Sequence, residues 1–307
     1  AILELVDYVI KVAKVVPPDP MYPGIVKEKQ NYPQLSLNDP QAANIQPDNM
    51  VDKIEEAIVA GEAVDKKVGG VSGNIKLVDG WEFFASTNDQ MLMFPKTSIS
   101  STINIHAVEA TDESRSNNVF GSRYFKDLNM EKEATDVAQR AVNGLGSRSI
   151  EPGEYEVILD HQAVSPILFL TSFATSSRMI MNRASFLADK IGAQVFDPKF
   201  TVTHEPHNPE LLSSRPIDDE GLATEGFSVF KQGVLENYSF TRLDAARMGA
   251  YARGTGFQSW GGMIGFPFAM KMEPGNSSLD TLISETKKGL LVTNFHYTNF
   301  VLSLIHI

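Results

Sequence analysis

The feature that most constrains this fold is a proline-dense segment from residue 16 to residue 47. It opens with Val16-Pro17-Pro18-Asp19-Pro20-Met21-Tyr22-Pro23-Gly24, and further prolines follow at positions 33, 40 and 47. Proline fixes φ and lacks a backbone N–H, so prolines at this density exclude a helix interior or a central strand. We therefore predict a long irregular connection between an N-terminal helix, residues 1–15, and the rest of the chain.

After the connection, the spacing of apolar residues indicates two helices with a sheet between them. The first helix is expected to be capped by Asp48, and the second, from residue 131 to residue 142, to follow a cap at Asn129. Between them, residues 68–108 alternate short strands with turn residues, which predicts an antiparallel sheet. Asp79-Gly80 is a typical hairpin signal within this region.

A second unit begins near Glu151. The sequence predicts a strand over residues 155–159, helical structure from 161 to 191 with a break near Asn182, and a hairpin across Lys231-Gln232-Gly233. Strands and helices alternate too irregularly for a doubly wound parallel sheet. We therefore predict an α+β fold in which each domain is a mainly antiparallel sheet with helices.

The domain boundary is expected between residues 148 and 149. Residues 1–148 would form an N-terminal domain that includes the connection 16–47 and the strands 68–108, and residues 149–307 would form the C-terminal domain. The chain starts at Ala1 within a helical pattern, so we expect a fragment with both domains truncated. The last six residues, 302–307, back-translate to a transposase end used in sequencing libraries, and we expect them to be adapter read-through.

Composition excludes several classes of partner. The formal net charge of the 307 residues is −11, whereas a nucleic-acid-binding protein presents a basic surface. No apolar stretch approaches the roughly 20 residues that a membrane helix needs. The chain has no cysteine, which fits a reducing compartment, and the N-terminus shows no signal peptide. We expect a cytoplasmic protein that binds neither nucleic acid nor membranes.

Several short segments of the second unit occur in a characteristic order. They are Glu151-Pro152-Gly153-Glu154-Tyr155-Glu156-Val157-Ile158-Leu159, Ser185-Phe186-Leu187, Arg215-Pro216-Ile217-Asp218-Asp219-Glu220-Gly221, Gly233-Val234-Leu235-Glu236-Asn237-Tyr238, Ala245-Ala246-Arg247 and Lys288-Gly289-Leu290-Leu291-Val292-Thr293. Taken together and in this order, they resemble the TldD/PmbA family of metallopeptidase-related proteins.

The resemblance implies a two-domain α+β fold and a dimer. It implies a system in which a zinc-bearing TldD subunit joins a TldE (PmbA) subunit that lacks the metal. The pair is implied to cleave unfolded peptides and to process peptide precursors. The expected partners are therefore a TldD-like subunit or a second copy of this chain, together with an unfolded peptide.

The family's zinc motif, His-Glu-x-x-x-His, is altered in this chain. Two imidazoles about one helical turn apart can bind zinc, and the carboxylate beside them accepts a proton from the zinc-bound water. The matching stretch here runs from His161 to Pro166. Gln162 replaces the carboxylate and Pro166 replaces the second imidazole. We therefore expect a TldE-like chain without its own cofactor, zinc being held by a TldD-type partner, and His161 as a structural residue at a strand-to-helix junction.

Three other groups are candidates for chemistry. The first is an acidic loop with the residues Arg215, Asp218, Asp219 and Glu220. We expect it to be a structural turn rather than a cation-binding or peptide-binding site. His204-Glu205-Pro206-His207 is expected to be a solvent-exposed loop, because its spacing and its proline do not fit a helical zinc motif. His296 lies among aromatic residues and is expected to be a buried, hydrogen-bonded histidine, with a weaker metal-binding alternative that it shares with His161.

Three functions remain open from the sequence. The first is a non-catalytic TldE-like subunit of a metallopeptidase. The second is an autonomous peptide-binding homodimer, in which the sheet over residues 68–108 accepts an extended peptide as an added strand. The third is an active metallopeptidase with a rebuilt metal site that uses His161, His296 or His204.

Overall fold

The computed structural model describes residues 2–296 and residue 298. The expectation about residues 302–307 falls outside the described residues. The N-terminal region, in chain order, consists of α1 (Ile2–Val15), α2 (Pro47–Val64), β1 (Val68–Ala85), β2 (Met91–Glu109), β3 (Asp112–Ser122) and α3 (Met130–Asn143). Short 3-10 turns lie at Ala42–Asn44 and Phe125–Asp127.

The N-terminal sheet has the strand order β1-β2-β3 and is antiparallel throughout. Alternate residues of β2 point to one face, where Ile99, Ile103 and Ile105 are buried against small residues of α3. The inward residues of α3 are those that its periodicity predicts, namely Ala134, Val137, Ala138 and Ala141. Small side chains on this helix let its backbone approach the sheet closely. The sheet also exposes polar residues, such as Asn104, at one end and apolar residues, Trp81, Phe83 and Met93, at the other.

One predicted turn of this sheet is wrong. Asp79-Gly80 lies within the continuous strand β1, where Asp79 pairs with Thr97 and Gly80 with Lys96. The Thr97 hydroxyl donates to Asp79 Oδ1 at 2.6 Å, so the turn-forming side chain is used across the strands. The chain reverses later, around Asp89, which has a φ of 58°. Strand pairing with β2 therefore overrides the local turn preference.

The helix ends differ in how well the sequence predicts them. Asn129 caps α3 as expected, because its side chain accepts from Lys132 N at 3.0 Å. By contrast, α2 is capped by Gln46, which exchanges side-chain and backbone hydrogen bonds with Asn49. Asp48 lies inside the first turn, and Pro47 occupies the first helical position, where its missing N–H costs nothing.

The C-terminal region contains small sheets joined by short helices. In chain order its elements are β4 (Glu156–Leu159), α4 (His161–Ala174), α5 (Ser177–Met181), β5 (Val202–His204), β6 (Phe227–Lys231), β7 (Val234–Leu235), α6 (Arg242–Met248), β8 (Gly256–Ser259), β9 (Gly262–Gly265), β10 (Met270–Met272), α7 (Leu279–Glu285) and β11 (Gly289–Val292). Strands β10-β5-β6-β7 form an antiparallel sheet, β8 and β9 form a hairpin, and β4 pairs with β11 in parallel.

The predicted helical stretch 161–191 is broken earlier than expected. α4 ends at Ala174 because residues 175–177 pair with Ser239: Ser239 N donates to Thr175 O and Ser177 N donates to Ser239 O. α5 then ends at Met181. Arg183 and Asp189 both adopt positive φ, a backbone conformation that cannot continue a right-handed helix. The hairpin across Lys231-Gln232-Gly233 is confirmed, with both Gln232 and Gly233 at positive φ.

The proline-dense connection binds the two regions together. Its Leu37 is buried with Phe94 of β2 and Ile217 of the C-terminal region in one apolar cluster. Tyr32 of the connection donates its hydroxyl hydrogen to Gly221 O at 2.9 Å. The architecture is the mixed α+β arrangement that the sequence predicts. Within the described residues no helix is long and apolar enough to cross a bilayer.

Candidate functional site

The altered zinc motif lies where β4 meets α4. Asp160 is the N-cap of α4, and its Oδ1 accepts from His161 N and lies 2.7 Å from His161 Nδ1. His161 is therefore at the strand-to-helix junction, as expected, and its side chain is 71% exposed. One ring nitrogen is held by Asp160, which leaves Nε2 toward solvent.

The rest of the motif does not supply a zinc site. Pro166 lies inside α4 and has no donor for the carbonyl four residues earlier, which is that of Gln162. The side-chain Nε2 of Gln162 is buried without a hydrogen-bond partner, and an amide cannot act as a general base at neutral pH. Zinc sites take at least three protein ligands, and this stretch offers one imidazole. The residues present do not fit the zinc ion that the resemblance implies for this motif.

His296 is near the same edge of the fold but is not the buried histidine that was expected. It is exposed, four residues beyond Val292, the last residue of β11. Because β4 and β11 are parallel, His161 and His296 both follow the carboxyl ends of neighbouring strands. Across residues 2–296 and 298, however, no three His, Asp or Glu side chains are grouped so as to hold a metal ion.

The acidic loop is built around the buried carboxylate of Asp218. Its Oδ1 accepts from Glu220 N and Leu222 N, each at 2.9 Å, and its Oδ2 accepts from Gly256 N at 2.8 Å. Burial raises the pKa of Asp218, and these three backbone N–H groups oppose that rise. A carboxylate engaged in this way orders the turn around it, which agrees with the structural-turn reading.

The neighbouring residues of the loop are held less tightly. Arg215 donates to Asp219 Oδ1 at 2.6 Å and lies 4.1 Å from the centroid of the Phe268 ring. Glu220 Oε2 accepts from Arg242 N at 2.8 Å. Burial raises the pKa of Glu220 to about 7, with the nearby Asp218 adding to the rise. Glu220 is therefore the residue of this loop that changes charge near neutral pH.

Asp219 and Glu220 face a cavity of about 500 Å³. Its walls come from the proline-dense connection, from α5 and the residue after it, from the acidic loop, from α6 and from β9. The lining residues are Tyr22, Gly24, Ile25, Arg178, Met181, Asn182, Asp219, Glu220, Thr241, Arg242, Leu243, Asp244, Arg247 and Met263. The sequence suggested the acidic loop as a candidate site. It did not indicate that Arg178, Arg242 and Arg247 line a cavity beside this loop, because they lie far from the loop along the chain.

The histidine pair after β5 also differs from the prediction. His204 is 1% exposed rather than solvent-exposed, and its ring packs against Phe227 and Phe268 at centroid distances of 5.1 and 4.8 Å. Its Nδ1 accepts from Ala269 N at 3.3 Å. Burial lowers the pKa of His204 to about 3, so the ring is neutral and belongs to the core. Only His207 of this pair is exposed, with Nε2 at 2.9 Å from Thr224 O.

Comparisons with known proteins agree with this geometry. The family model for the PmbA/TldA metallopeptidase C-terminal domain matches residues 152–303. The metalloprotease PmbA of Escherichia coli O157:H7 is 24% identical over 299 residues, which cover 95% of this chain and 64% of the relative. A metalloprotease PmbA homolog of Haemophilus influenzae is 26% identical over 160 residues, which cover 51% of this chain and 33% of the relative.

A solved structure has the same fold. The TldE structure from Thermococcus kodakarensis superposes with a TM-score of 0.82 at 19% identity, covering 96% of this chain and 67% of that chain. The fold and the motif-bearing junction thus define a metallopeptidase-related α+β protein. The chain belongs to the TldD/PmbA family. It spans 64% of the length of the Escherichia coli relative.

Proposed function

We propose that this chain is the non-catalytic, zinc-less subunit of a TldD/TldE-type metallopeptidase that acts on unfolded peptides. The observation that carries the proposal is the donor set at the start of α4, where His161 is followed by Gln162 and Pro166. A peptidase-family fold that has kept the helix but neither the general base nor the second ligand fits a supporting subunit. Zinc and the catalytic carboxylate then come from a TldD-like partner in the cytoplasm.

Co-expression tests this role directly. With a relative that carries an intact His-Glu-x-x-x-His helix, we expect a complex that cleaves an unfolded peptide such as reduced, carboxymethylated casein. Replacing the partner's motif glutamate by glutamine should abolish cleavage, because it removes the general base. His161→Ala in this chain should leave cleavage within about twofold of the unaltered complex, since an exposed side chain outside the chemistry has little effect.

Two results would contradict the proposal. One is stoichiometric zinc together with peptide cleavage by this chain alone, which would support the rebuilt metal site. The other is a failure to associate with any motif-bearing relative.

One observation favours the alternative of an autonomous peptide-binding homodimer. Within the described residues β1 pairs with β2 on one side only, which leaves the other edge of an 18-residue strand open. An extended peptide could pair with this edge through its main chain. This candidate predicts that the chain alone forms a homodimer and binds peptide without metal, and that N-methylation of the peptide backbone abolishes binding.

A further inference from the structure

The cavity beside the acidic loop contains two guanidinium groups without an acidic partner. Arg178 of α5 donates to the carbonyl oxygens of Gly261 at 2.8 Å and Met263 at 2.6 Å. Arg242 of α6 donates to the carbonyl oxygen of Gly24. Within the described residues neither guanidinium lies within 4.0 Å of a carboxylate. The carbonyls fix the positions of both groups without forming an ion pair, although Arg242 also interacts at longer range with the carboxylate of Glu220.

The other charged groups of the cavity are already engaged. Arg247 pairs with Asp19 at 2.5 Å, and Asp219 is held by Arg215. Asp244 Oδ2 accepts the hydroxyl hydrogen of Ser177 at 2.6 Å. Glu220 is engaged by a backbone N–H rather than by a guanidinium. A ligand that enters this cavity therefore meets two positive charges with free donors, and an anion is favoured over a cation.

Apolar side chains complete the walls. They are Tyr22, Ile25, Met181, Leu243 and Met263. Tyr22 and Ile25 are each at least half exposed, and Met181 is 38% exposed, so this wall is open to an incoming group. Unbranched methionine side chains adapt to ligands of different shape. The cavity of about 500 Å³ is within the size range of small-molecule sites.

We propose that this cavity binds an organic carboxylate that carries an apolar substituent, as the C-terminal residue of a peptide does. Arg178 and Arg242 hold the carboxylate, and the apolar substituent contacts Met181 and Met263. Arg guanidinium groups present paired N–H donors that match the two oxygens of a carboxylate. Binding here needs neither zinc nor a partner subunit, so this inference goes beyond the proposed role in the peptidase.

Calorimetric titration of the purified chain tests this site. The probes are an N-acetylated Gly-Gly-Leu tripeptide with a free C-terminal carboxylate and the same tripeptide with a C-terminal amide. We expect the free acid to bind and the amide to bind at least about tenfold more weakly, which is the loss expected for a charge-assisted hydrogen bond. N-acetyl-leucine serves as a third probe. If it binds as tightly as the tripeptide, the ligand is a small carboxylic acid rather than a peptide end.

Two variants of the cavity should change affinity in opposite directions. Arg178→Gln removes a positive charge and should weaken binding of the free acid about tenfold. Glu220→Gln removes a neighbouring negative charge and should tighten binding about two- to fivefold. A variant that merely loosens the fold cannot produce both changes. Arg183→Gln is the matched control, because Arg183 lies on the same segment with its side chain 82% exposed.

The proposal is overturned if acid and amide bind equally, or if neither binds while thermal unfolding shows a folded chain. It is also overturned if Arg183→Gln weakens binding as much as Arg178→Gln. Since every measurement uses the chain alone, these failures would leave the role as a peptidase subunit untouched. Failure of the co-expression experiment would in turn leave this site untouched.

Discussion

Two acidic residues of one loop, the buried Asp218 and the half-buried Glu220, accept different numbers of backbone N–H groups. Asp218 accepts three backbone N–H groups, which oppose the effect of its burial. Glu220 accepts one from Arg242. Burial is the largest effect on both groups and raises both pKa values, that of Glu220 to about 7. The first carboxylate orders the loop, while the second gains or loses a proton near neutral pH.

The raised pKa of Glu220 makes stability depend on pH. The pKa of Glu220 is 4.5 in the unfolded chain and higher in the folded state. The protonated side chain therefore stabilises the fold fully at pH values below 4.5. This contribution is lost as pH rises through about 7. Glu220→Gln should therefore raise the melting temperature at pH 8 relative to the unaltered chain, with a smaller difference at pH 5.

Scanning calorimetry at several pH values measures this effect. Asp218 has a pKa raised in the same direction, so the variant should keep part of the pH dependence. Asp219→Asn, on the same loop, is the comparison that removes a charge paired with Arg215. A melting temperature that falls equally with rising pH in Glu220→Gln and in the unaltered chain would rule out the assignment.

At this scale the sequence identifies residue types better than their surroundings. His204 and His296 have opposite environments to those expected, the first buried and the second exposed. Burial depends on aromatic rings such as Phe268, which the fold brings to His204 from a distant segment. The residues near His204 in the sequence do not predict that contact. The presence of Gln162 and Pro166 after His161, in contrast, is a matter of residue identity alone, and the absence of zinc from this chain stays a prediction.

Among the elements, the hairpin between β6 and β7 depends on one glycine. Gly233 has a φ of +77°, and a Cβ at this position would lie 2.2 Å from Phe196 O and 2.6 Å from Asp197 O. Its own N–H donates to Phe200 O at 2.7 Å. The segment 196–200 therefore packs directly against the turn, in a space that only glycine leaves open.

Gly233→Ala should destabilise the fold severely, by about 3 kcal/mol or more, because a left-handed backbone and a clash with backbone atoms combine. Gly192→Ala is the matched control, since Gly192 has a φ of +80° and nothing within 4 Å of its Cβ position. That control should cost only about 1 kcal/mol. Urea unfolding compares the two, and equal losses would show that packing of segment 196–200 contributes nothing.

The predictions for elements succeed where local signals and tertiary pairing agree. Asn129 caps α3, because this role depends on residues within one turn. Asp79-Gly80 fails because pairing with β2 along an 18-residue strand outweighs a two-residue turn preference. The helix predicted after Asn182 is absent, since Arg183 and Asp189 both adopt positive φ.

In the whole molecule, one buried arginine joins segments that are distant in sequence. Arg123, the residue that follows β3, is 1% exposed. Its guanidinium donates to Leu37 O and Thr97 O, and also to Pro209 O and Leu211 O of the C-terminal region. Burial lowers the pKa of Arg123, and these carbonyl acceptors offset the cost of removing the charge from water.

Arg123→Ala should cost about 3 kcal/mol or more, because four carbonyl acceptors lose their donor at the junction of the two regions. Arg123→Lys should recover only part of this loss, since an ammonium lacks the planar set of donors. Hydrogen exchange should show faster exchange in β2 and in residues 209–215 together. Arg115→Ala, at a 76% exposed arginine of β3, is the control and should change little.

The sequence predicts the mixture of helix and antiparallel sheet but not how the regions meet. The division at residues 148 and 149 remains a prediction, and the proline-dense connection is more than a linker because Leu37 and Tyr32 pack into both regions. Such contacts join residues far apart along the chain, and no periodicity encodes them. The convergence of Arg178 and Arg242 on the acidic loop escaped prediction for the same reason.

The parallel pairing of β4 with β11 affects the order in which this chain becomes structured during synthesis. β4 leaves the ribosome long before β11 is synthesised. Until then, the edge of β4 that pairs with β11, next to Asp160 and His161, has no strand partner. Closing so long a loop is slow, and exposed strand edges invite wrong pairings meanwhile. We therefore expect the β4–α4 junction to be among the last parts of the C-terminal region to form, and the nascent chain to be most prone to aggregation until then.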